Sequence, residues 1–403
     1  MQEGQTLRLK VKTVTPIFIG TGNELKRMDF ILDGKVIRVI DQEHFIRSLT
    51  RQQRDFFLRW IENRISERRD RKRPSSLSLR GFLSELTRKG EVDRRALLGR
   101  STSYLLPYTY IQRRDGRPNI NRIKECVKTP DHRPYIPGSE IKGAIRTSML
   151  IDMLQSDEIF RWFADSIKDL NESLKRERNS REKRKILNQG WKEIEDELLR
   201  GSRSEAHYDL MRGVQVGDSL PLPIRALRIE FISLQGSSRR FPLYVETISP
   251  NQETEIQITI ASAERWMEEV GLSDREEWLS WDRIRRAIYA RSKLILEEDE
   301  RYFRGNTRVG DEIERLKRLN ALDSPLLRLG WGQGFTGITL TLPLKMRGES
   351  VFEDLRRSLS RAYNQYGRTH PGRFPQTRRL AVDEEGNPRT PLGWVKLMPD
   401  GTS

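Results

Sequence analysis

The sequence has almost no cysteine and no long apolar run. Its single cysteine, Cys126, cannot build a disulfide framework, so we expect a reducing compartment such as the cytoplasm. No stretch approaches the roughly 18 consecutive apolar residues of a membrane-spanning helix. The first residues, MQEGQTLRLK, contain no apolar signal region. These absences predict a soluble, cytoplasmic protein without a membrane partner.

Histidine is also scarce, which limits the chemistry that the chain can carry. None of the histidines has the HExxH spacing of a metal site and no CxxC pair occurs, so we predict no metal and no cofactor. Asp131 precedes His132 and could form an acid–base pair, although such a pair in a loop is more often a structural hydrogen bond. We therefore predict no catalytic residue. The four histidines are His44, His132, His207 and His370.

Positive charge is what the chain has in excess. Its 74 lysines and arginines against 58 aspartates and glutamates give a formal net charge of +16. A surplus of this size favours a polyanionic partner, nucleic acid before membrane. The alternative is a charge-rich surface, because 33% of the residues are charged and many can pair with neighbours. The basic run NESLKRERNSREKRK is by itself more typical of a solvated helix face.

Hydrophobic periodicity indicates an α+β fold with antiparallel sheets. LRLKVKTV alternates as a half-buried strand with a basic outer face, and FILDGKVIRVI predicts a hairpin around Asp33-Gly34. Asp41 is expected to cap a long helix. Strand-like segments return after Gly213. We predict three parts: an N-terminal unit (1–150), a charged helical insertion (151–212) and a C-terminal unit (213–403).

The segment YIPGSEIKGAIRTSML, residues 135–150, is the most informative motif. We expect Ser139 to be the N-cap of an apolar helix. Lys142 and Arg146 lie one turn apart near its start, where unpaired amides and the helix dipole favour phosphate. Gly143 costs about 1 kcal/mol in a helix interior, which a closely approaching RNA strand would explain. The alternative is tight packing of this helix on its own sheet.

Two glycine-rich stretches flank that helix in sequence. TPIFIGTG contains Gly20, Thr21 and Gly22, and GWGQGF extends from Gly330 to Phe335. Neither stretch is a nucleotide-binding fingerprint, because GxxxxGK[ST] is absent and no βαβ unit surrounds the first loop. Trp331 is more typical of a packed aromatic residue than of a base-stacking platform. The alternation in GWGQGFTGITLTL predicts a strand after the second loop.

Taken in this order, the three motifs resemble the signatures of the RAMP superfamily of CRISPR-associated proteins. DLMRGVQVGDS and FPQTRRL…PLGWVKL further resemble the family that supplies the fifth subunit of type III-A Csm effector complexes. The resemblance implies two ferredoxin-like (RRM-like) units with antiparallel sheets and large helical insertions. It also implies a non-catalytic subunit that caps the backbone filament, beside stacked third subunits. Such a subunit holds the 3′ region of the CRISPR RNA and is needed for its maturation in antiviral defence.

The resemblance also implies which residues lie near RNA, and it leaves two alternatives open. One alternative is a RAMP-type endoribonuclease that processes CRISPR RNA. The other is a backbone subunit of a related type III (Cmr-like) complex. Whether a host 3′-trimming nuclease is a further partner is also open. The predicted RNA-binding residues are Lys12, Gly20, Thr21, Gly22, Ser139, Lys142, Gly143, Arg146, Gly330, Trp331, Gly332, Gln333, Gly334, Arg378 and Arg379.

Overall fold

The structure is a computed structural model that describes most of the chain. The described residues are 4–70, 77–90, 92–109, 120–201, 205, 208–236, 243–261, 267–268, 273–347, 349–363 and 377–399. Two of the four histidines, His207 and His370, lie outside them. None of the described helices is both long enough and apolar enough to cross a bilayer.

The strands form three sheets. Their bounds are β1 Gln5–Thr13, β2 Gly20–Lys26, β3 Phe30–Asp33, β4 Val36–Ile40, β5 Thr102–Pro107, β6 Arg122–Cys126, β7 Val214–Val216, β8 Leu227–Gln235, β9 Leu243–Ile248, β10 Glu253–Ile260, β11 Leu326–Arg328, β12 Arg378–Val382, β13 Pro388–Pro391 and β14 Trp394–Pro399.

Helices cover the sheets and fill the middle of the chain. Their bounds are α1 Gln42–Ser48, α2 Arg51–Asp70, α3 Leu79–Arg88, α4 Arg94–Ser101, α5 Gly138–Met153, α6 Asp157–Arg176, α7 Ser180–Arg200, α8 Trp281–Tyr302, α9 Thr307–Leu319, α10 Gly334–Ile338, α11 Thr341–Arg347 and α12 Glu349–Ala362. Short 3₁₀ turns occur at Leu210–Gly213, Ile224–Ala226, Ser273–Leu279 and Gly330–Gln333.

The five-stranded sheet has the order β11-β14-β1-β10-β7 and is antiparallel throughout. Leu9 and Val11 of β1 are buried, whereas the lysines between and after them are partly exposed, which confirms the predicted alternation. Taken in chain order, β1, α5, β7, β10, α8 and β14 follow the β-α-β-β-α-β sequence of a ferredoxin-like unit. Helices α5 and α8 pack against each other.

The six-stranded sheet has the order β13-β12-β8-β9-β6-β2. Its strands come from both sides of the helical segment 151–212. All pairs are antiparallel except β6 with β9, which are parallel. A parallel pair requires a long crossover, and α5, α6, α7 and β8 lie between these two strands in the chain. The α+β class is therefore confirmed, whereas the prediction of two ferredoxin-like units is not.

The three-stranded sheet, β3-β4-β5, and helices α1–α4 enclose a separate hydrophobic core around Phe45 and Phe82. The predicted hairpin is confirmed, with Gly34 at φ +61°. Asp41 caps α1, because its carboxylate accepts from the His44 amide at 2.9 Å. The single long helix expected here is wrong: Thr50 and Gln53 cap each other reciprocally and start α2 as a second helix.

Helices α6 and α7 lie side by side in the middle of the chain, and α12 packs on both of them. Each helix has one apolar stripe, with Phe163 and Ile167 buried on α6 and Ile194 and Leu198 buried on α7. Their remaining faces carry charged pairs such as Lys168 with Asp165. Tertiary packing of the stripes therefore holds the charged helices in place.

Candidate nucleic-acid interface

The start of α5 is held by a distant loop. The Gly138 amide donates to the Asp218 carboxylate at 2.7 Å, and the Ile136 amide donates to the Ser219 hydroxyl at 2.9 Å. Gly138 is buried, and a Cβ there would overlap the carbonyl oxygen of Val216. The glycine is therefore required by a close approach of backbone to backbone within the fold.

This arrangement corrects the expectation for Ser139. The helix begins at Gly138 after Pro137, no side chain of this segment caps it, and Ser139 is exposed. A carboxylate eighty residues away takes the role assigned to Ser139, and no local sequence signal points to Asp218. Because that carboxylate already accepts from the first amide, an anion at this end of the helix would meet a negative charge.

About one turn further along α5, the helix surface has a gap at Gly143, where a side chain is missing. We call this gap the open step. Gly143 is exposed, and no heavy atom lies within 4 Å of the position that a Cβ would occupy. Tight packing on the sheet, the alternative explanation for this glycine, is therefore wrong. The Thr147 hydroxyl donates to the Gly143 carbonyl at 3.1 Å and closes the step on one side. The opposite face of α5 is buried through Ile141 and Ile145, which agrees with the apolar helix predicted from the sequence.

The two cations beside Gly143 differ in their surroundings. Among the described residues, the Lys142 ammonium has no hydrogen-bond or ion-pair partner. The Arg146 guanidinium pairs with the Glu195 carboxylate of α7 at 2.8 Å, and both side chains are about one-third exposed. An exposed pair of this kind contributes only about 0–1 kcal/mol, so Arg146 can exchange its partner for a phosphate at small cost.

The two glycine-rich stretches meet in space. The Trp331 amide donates to the Phe18 carbonyl at 3.0 Å, and the two rings meet edge to face at 5.6 Å. Gly330 has φ +65°, and a Cβ there would overlap the Phe18 carbonyl oxygen. A Cβ on Gly332 would overlap the Leu392 carbonyl oxygen. These contacts explain both glycines by internal packing, and they agree with the prediction that Trp331 is a packed aromatic residue.

The remainder of the second stretch is helical, so the predicted strand after it is wrong. Residues 334–338 and 341–347 form α10 and α11. Thr339 joins them, with its hydroxyl donating to the Phe335 carbonyl at 2.8 Å. Of the apolar residues that suggested alternation, Leu340 is buried in the connection between the two helices, and Leu342 and Leu344 are buried on α11. Tertiary packing here overrides the β-propensity of threonine and isoleucine.

Gln333 is held inside the protein. Its Oε1 accepts from the Arg291 guanidinium at 2.7 Å, and Arg291 also donates to the Gly337 carbonyl. Arg291 is fully buried, and burial together with the nearby Arg328 lowers its pKa to about 9. Arg291 was not anticipated from the sequence, because nothing local marks it as the residue that ties α8 to the glycine-rich stretch. By contrast, Gly334 has φ +65° and open space around its Cβ position.

The consecutive arginines of β12 have different environments. Arg378 is 7% exposed and pairs with Asp299 at 3.0 Å and with Glu298 at 3.4 Å. A guanidinium held by two buried carboxylates is not a surface cation, which corrects its predicted place in an RNA interface. Arg379 lies over the Trp331 ring at 4.1 Å and donates to the Trp331 carbonyl. Partial burial lowers the pKa of Arg379.

Lys12 lies apart from α5. Its ammonium pairs with Glu253 of β10 at 3.1 Å on the exposed face of the five-stranded sheet. Leu9 and Val11 point to the other face, where they share a core with Ile141 of α5. The exposed face of β1 and β10 carries no aromatic side chain and so offers no stacking platform of the RRM kind. Its residues are Thr6, Arg8, Lys10, Lys12, Glu253, Glu255, Gln257 and Thr259.

The first glycine-rich stretch ends in an exposed bulge. Gly20, Thr21 and Gly22 begin β2, and the pairing register with β6 shifts between Gly20 and Glu24. Gly22 has φ +90°, a conformation that favours glycine. The Thr21 hydroxyl accepts from the Asn23 amide at 3.1 Å. The predicted role of this bulge in RNA binding stays a prediction.

Asp131 and His132, weighed above as an acid–base pair, do not bond to each other. The Asp131 carboxylate accepts from the Thr129 hydroxyl at 2.5 Å, which is the leading reason that its pKa lies below the usual range. The His132 ring contacts the Ser103 hydroxyl at 2.7 Å and lies 4.8 Å from the Tyr104 ring. Asp131 and His132 therefore bond to different neighbours. Within the described ranges, no three His, Cys, Asp or Glu side chains group as metal ligands.

Comparison with known proteins places this geometry in a family context. A sequence model of the RAMP superfamily matches residues 10–335 of the chain. A protein named CRISPR system Cms protein Csm5 from Streptococcus thermophilus is 25% identical over 284 residues, which cover 66% of this chain and 68% of that protein. The protein of the same name from Methanocaldococcus jannaschii is 24% identical over 422 residues, covering 98% of this chain and 90% of its own.

Solved structures show the same fold. A chain of the cryo-EM structure of a Csm–crRNA–target RNA ternary complex of a type III-A CRISPR-Cas system superposes with a TM-score of 0.69. That chain is 24% identical, and the match covers 98% of this chain and all of that one (100%). The crystal structure of T. onnurineus Csm5 gives a TM-score of 0.64 at 22% identity, over 96% of this chain and 99% of that one.

Proposed function

The chain belongs to the RAMP superfamily, and we propose that it is an RNA-binding structural subunit of a type III-A CRISPR Csm effector complex. The observation that carries this proposal is the similarity to curated Csm5 proteins, which for the Methanocaldococcus jannaschii protein extends over nearly the whole length of both chains. The formal net charge of +16 supports a polyanionic partner.

We further propose a position within the complex. The subunit caps the backbone filament at the 3′ region of the CRISPR RNA, beside a third subunit, and is needed for maturation of that RNA in antiviral defence. A host nuclease that trims the 3′ end would be an additional partner. These details rest on the family resemblance, and the chain's own surface supports the RNA contact within them.

The best-supported RNA contact is the open step of α5. Gly143 leaves room for a ribose-phosphate strand to approach the helix backbone. Lys142 and Arg146 place positive charge along one side of that step, one helical turn apart. The strand would therefore be bound through its phosphates, which predicts binding without strong sequence preference and with marked salt dependence.

These groups bind RNA but provide no route to its cleavage. The lysine ammonium, the arginine guanidinium and the backbone amides only donate hydrogen bonds, so none of them can accept a proton from water. In addition, Asp131 does not bond to His132 and so does not orient it as a base. We therefore propose a scaffold role, and the nuclease alternative becomes one outcome of the experiment.

The test begins with purification of the protein and sequencing of the RNA that accompanies it. Spacer-derived sequences with defined 3′ ends are expected, and random cellular RNA would contradict a role in CRISPR RNA binding. End-labelled CRISPR RNA is then incubated with the protein in Mg²⁺ or Mn²⁺ and in chelator. Intact RNA is expected in each case. Cleavage that follows the protein peak and is lost in His132→Ala would instead establish the nuclease.

A further inference from the structure

A cavity of about 390 Å³ opens between α7, α10 and the residue that follows α12. Three aromatic side chains from these separate elements, Trp191, Phe335 and Tyr363, contribute to its walls, and each is half-buried. At its mouth Ile338 is 58% exposed, although it is a large apolar residue. Its volume lies within the range of small-ligand sites, and its walls suit a flat, partly apolar group.

The cavity also has polar groups at its edge. Glu195 lines it, with one carboxylate oxygen already paired with Arg146. Asn188 is exposed in the lining, and its side-chain amide makes no hydrogen bond to the residues that the structure describes. A carboxylate and an amide together can accept from and donate to the edge of a heterocycle. The lining thus combines aromatic walls with hydrogen-bonding partners for a polar rim.

Positive charge lies on both sides of this cavity. Arg146 forms an ion pair with Glu195, which lines the cavity, and it lies about one helical turn from the open step at Gly143. On the other side, the Arg184 guanidinium lies 5.2 Å from the centre of the Tyr363 ring. A phosphate backbone bound by both of these cations would have to run past the residues that line the cavity.

We propose that this cavity receives one unstacked nucleobase of the RNA strand that passes over Gly143. The inference rests on the proposed function and adds to it a base-binding site. Stacking on aromatic side chains tolerates every base, since each has a flat π face. A peptide would also fit the apolar walls. The flanking arginines and the polar edge of the cavity favour a nucleotide over a peptide.

The experiment compares two probes with the full-length protein: a short single-stranded oligouridylate and an abasic ribose-phosphate strand of the same length. Wild-type protein should bind the oligouridylate about tenfold more tightly, the order expected for one base–aromatic stack. Ile338→Trp should fill the mouth and remove this difference while leaving abasic binding unchanged. Leu58→Trp is the matched control, because Leu58 is 60% exposed on α2, a helix whose buried residues belong to the separate core beside the three-stranded sheet.

The results distinguish failure of the base site from failure of the proposed function. Equal binding of both probes by wild-type protein, or an equal loss for both probes in Ile338→Trp, would overturn the base site but keep RNA binding. If neither probe binds, the proposed function is wrong, and the base site is wrong with it. As a second measurement, oligouridylate carrying 4-thiouridine should crosslink to peptides containing Trp191, Phe335 or Tyr363. Crosslinks confined to other surfaces would overturn the base site and would favour a peptide as the ligand of this cavity.

Discussion

Two glycines of α5, five residues apart, have opposite surroundings. Gly138 is buried, and a Cβ there would overlap the backbone of the loop that supplies Asp218. Gly143 is exposed, and a Cβ there would meet nothing within 4 Å. The fold requires the first glycine and gives no reason for the second. A motif glycine that the fold does not need is the better candidate for a partner's approach.

The same division occurs in the glycine-rich stretch after β11. Gly330 and Gly332 are required by the carbonyl oxygens of Phe18 and Leu392. Gly334 has open space around it, although its φ of +65° alone favours glycine. Motif resemblance assigned all three glycines to RNA, whereas their surroundings explain two of them by packing. The contrast between closed and open glycines can be tested by substitution.

The largest effect is expected for the closed glycine of α5. Gly138→Val should cost more than about 5 kcal/mol of folding free energy, the exceptional range for one substitution, because its side chain would overlap backbone that cannot move aside. Urea unfolding of the purified variant measures this loss, and RNA binding should fall only as far as folded protein is lost. A variant as stable as wild type would contradict the closed geometry.

The adjacent arginines of β12 should show the next largest difference. Arg378→Ala leaves Glu298 and Asp299 buried with fewer cationic partners and should cost about 3–5 kcal/mol of stability. Arg379→Ala removes a cation from the Trp331 ring and should cost about 0.5–2 kcal/mol. Both are measured by urea unfolding at low temperature. Equal losses for the two variants would contradict the assignment of Arg378 to the interior.

Local patterns predicted much of the fold, because local physics decides those parts. The alternation of β1, the Asp33-Gly34 hairpin and the Asp41 cap each depend on a few neighbouring residues, and each is confirmed. The break between α1 and α2 was missed, although Thr50 and Gln53 form a recognisable capping box.

Long-range partners account for what the sequence did not predict. Asp218 takes the capping role expected of Ser139, and Arg291 holds Gln333 from another helix. The burial of Arg378 depends on Glu298 and Asp299, which lie about eighty residues earlier in the chain. Such contacts are set by tertiary packing and have no periodic or spacing signal in the chain.

Removal of the two cations beside the open glycine should affect RNA binding and not folding. Lys142→Ala combined with Arg146→Ala should weaken binding of single-stranded RNA by about 100-fold, because two charge-assisted contacts of ~1.5 kcal/mol each are lost. The slope of log affinity against log salt should flatten by roughly one unit. A salt titration measures both.

The matched control for this pair removes the same charge from another helix surface. Lys168→Ala with Lys175→Ala deletes two exposed lysines of α6 that pair only locally. This control should retain near-normal affinity. If both double variants lose affinity equally, net charge alone would explain binding, and the site on α5 would be wrong.

The passage of an RNA strand over the open step of α5 is tested most directly by Gly143→Leu, with Gly99→Leu of α4 as the matched control. Both glycines are exposed in helices with no atom within 4 Å of the Cβ position, so both variants should fold and unfold at or slightly above the wild-type temperature. Gly143→Leu should weaken single-stranded RNA binding by about tenfold, since a displaced strand loses a charge-assisted contact of ~1.5 kcal/mol or more. Gly99→Leu should bind normally. A folded Gly143→Leu variant with wild-type affinity would show that no RNA strand crosses α5 here.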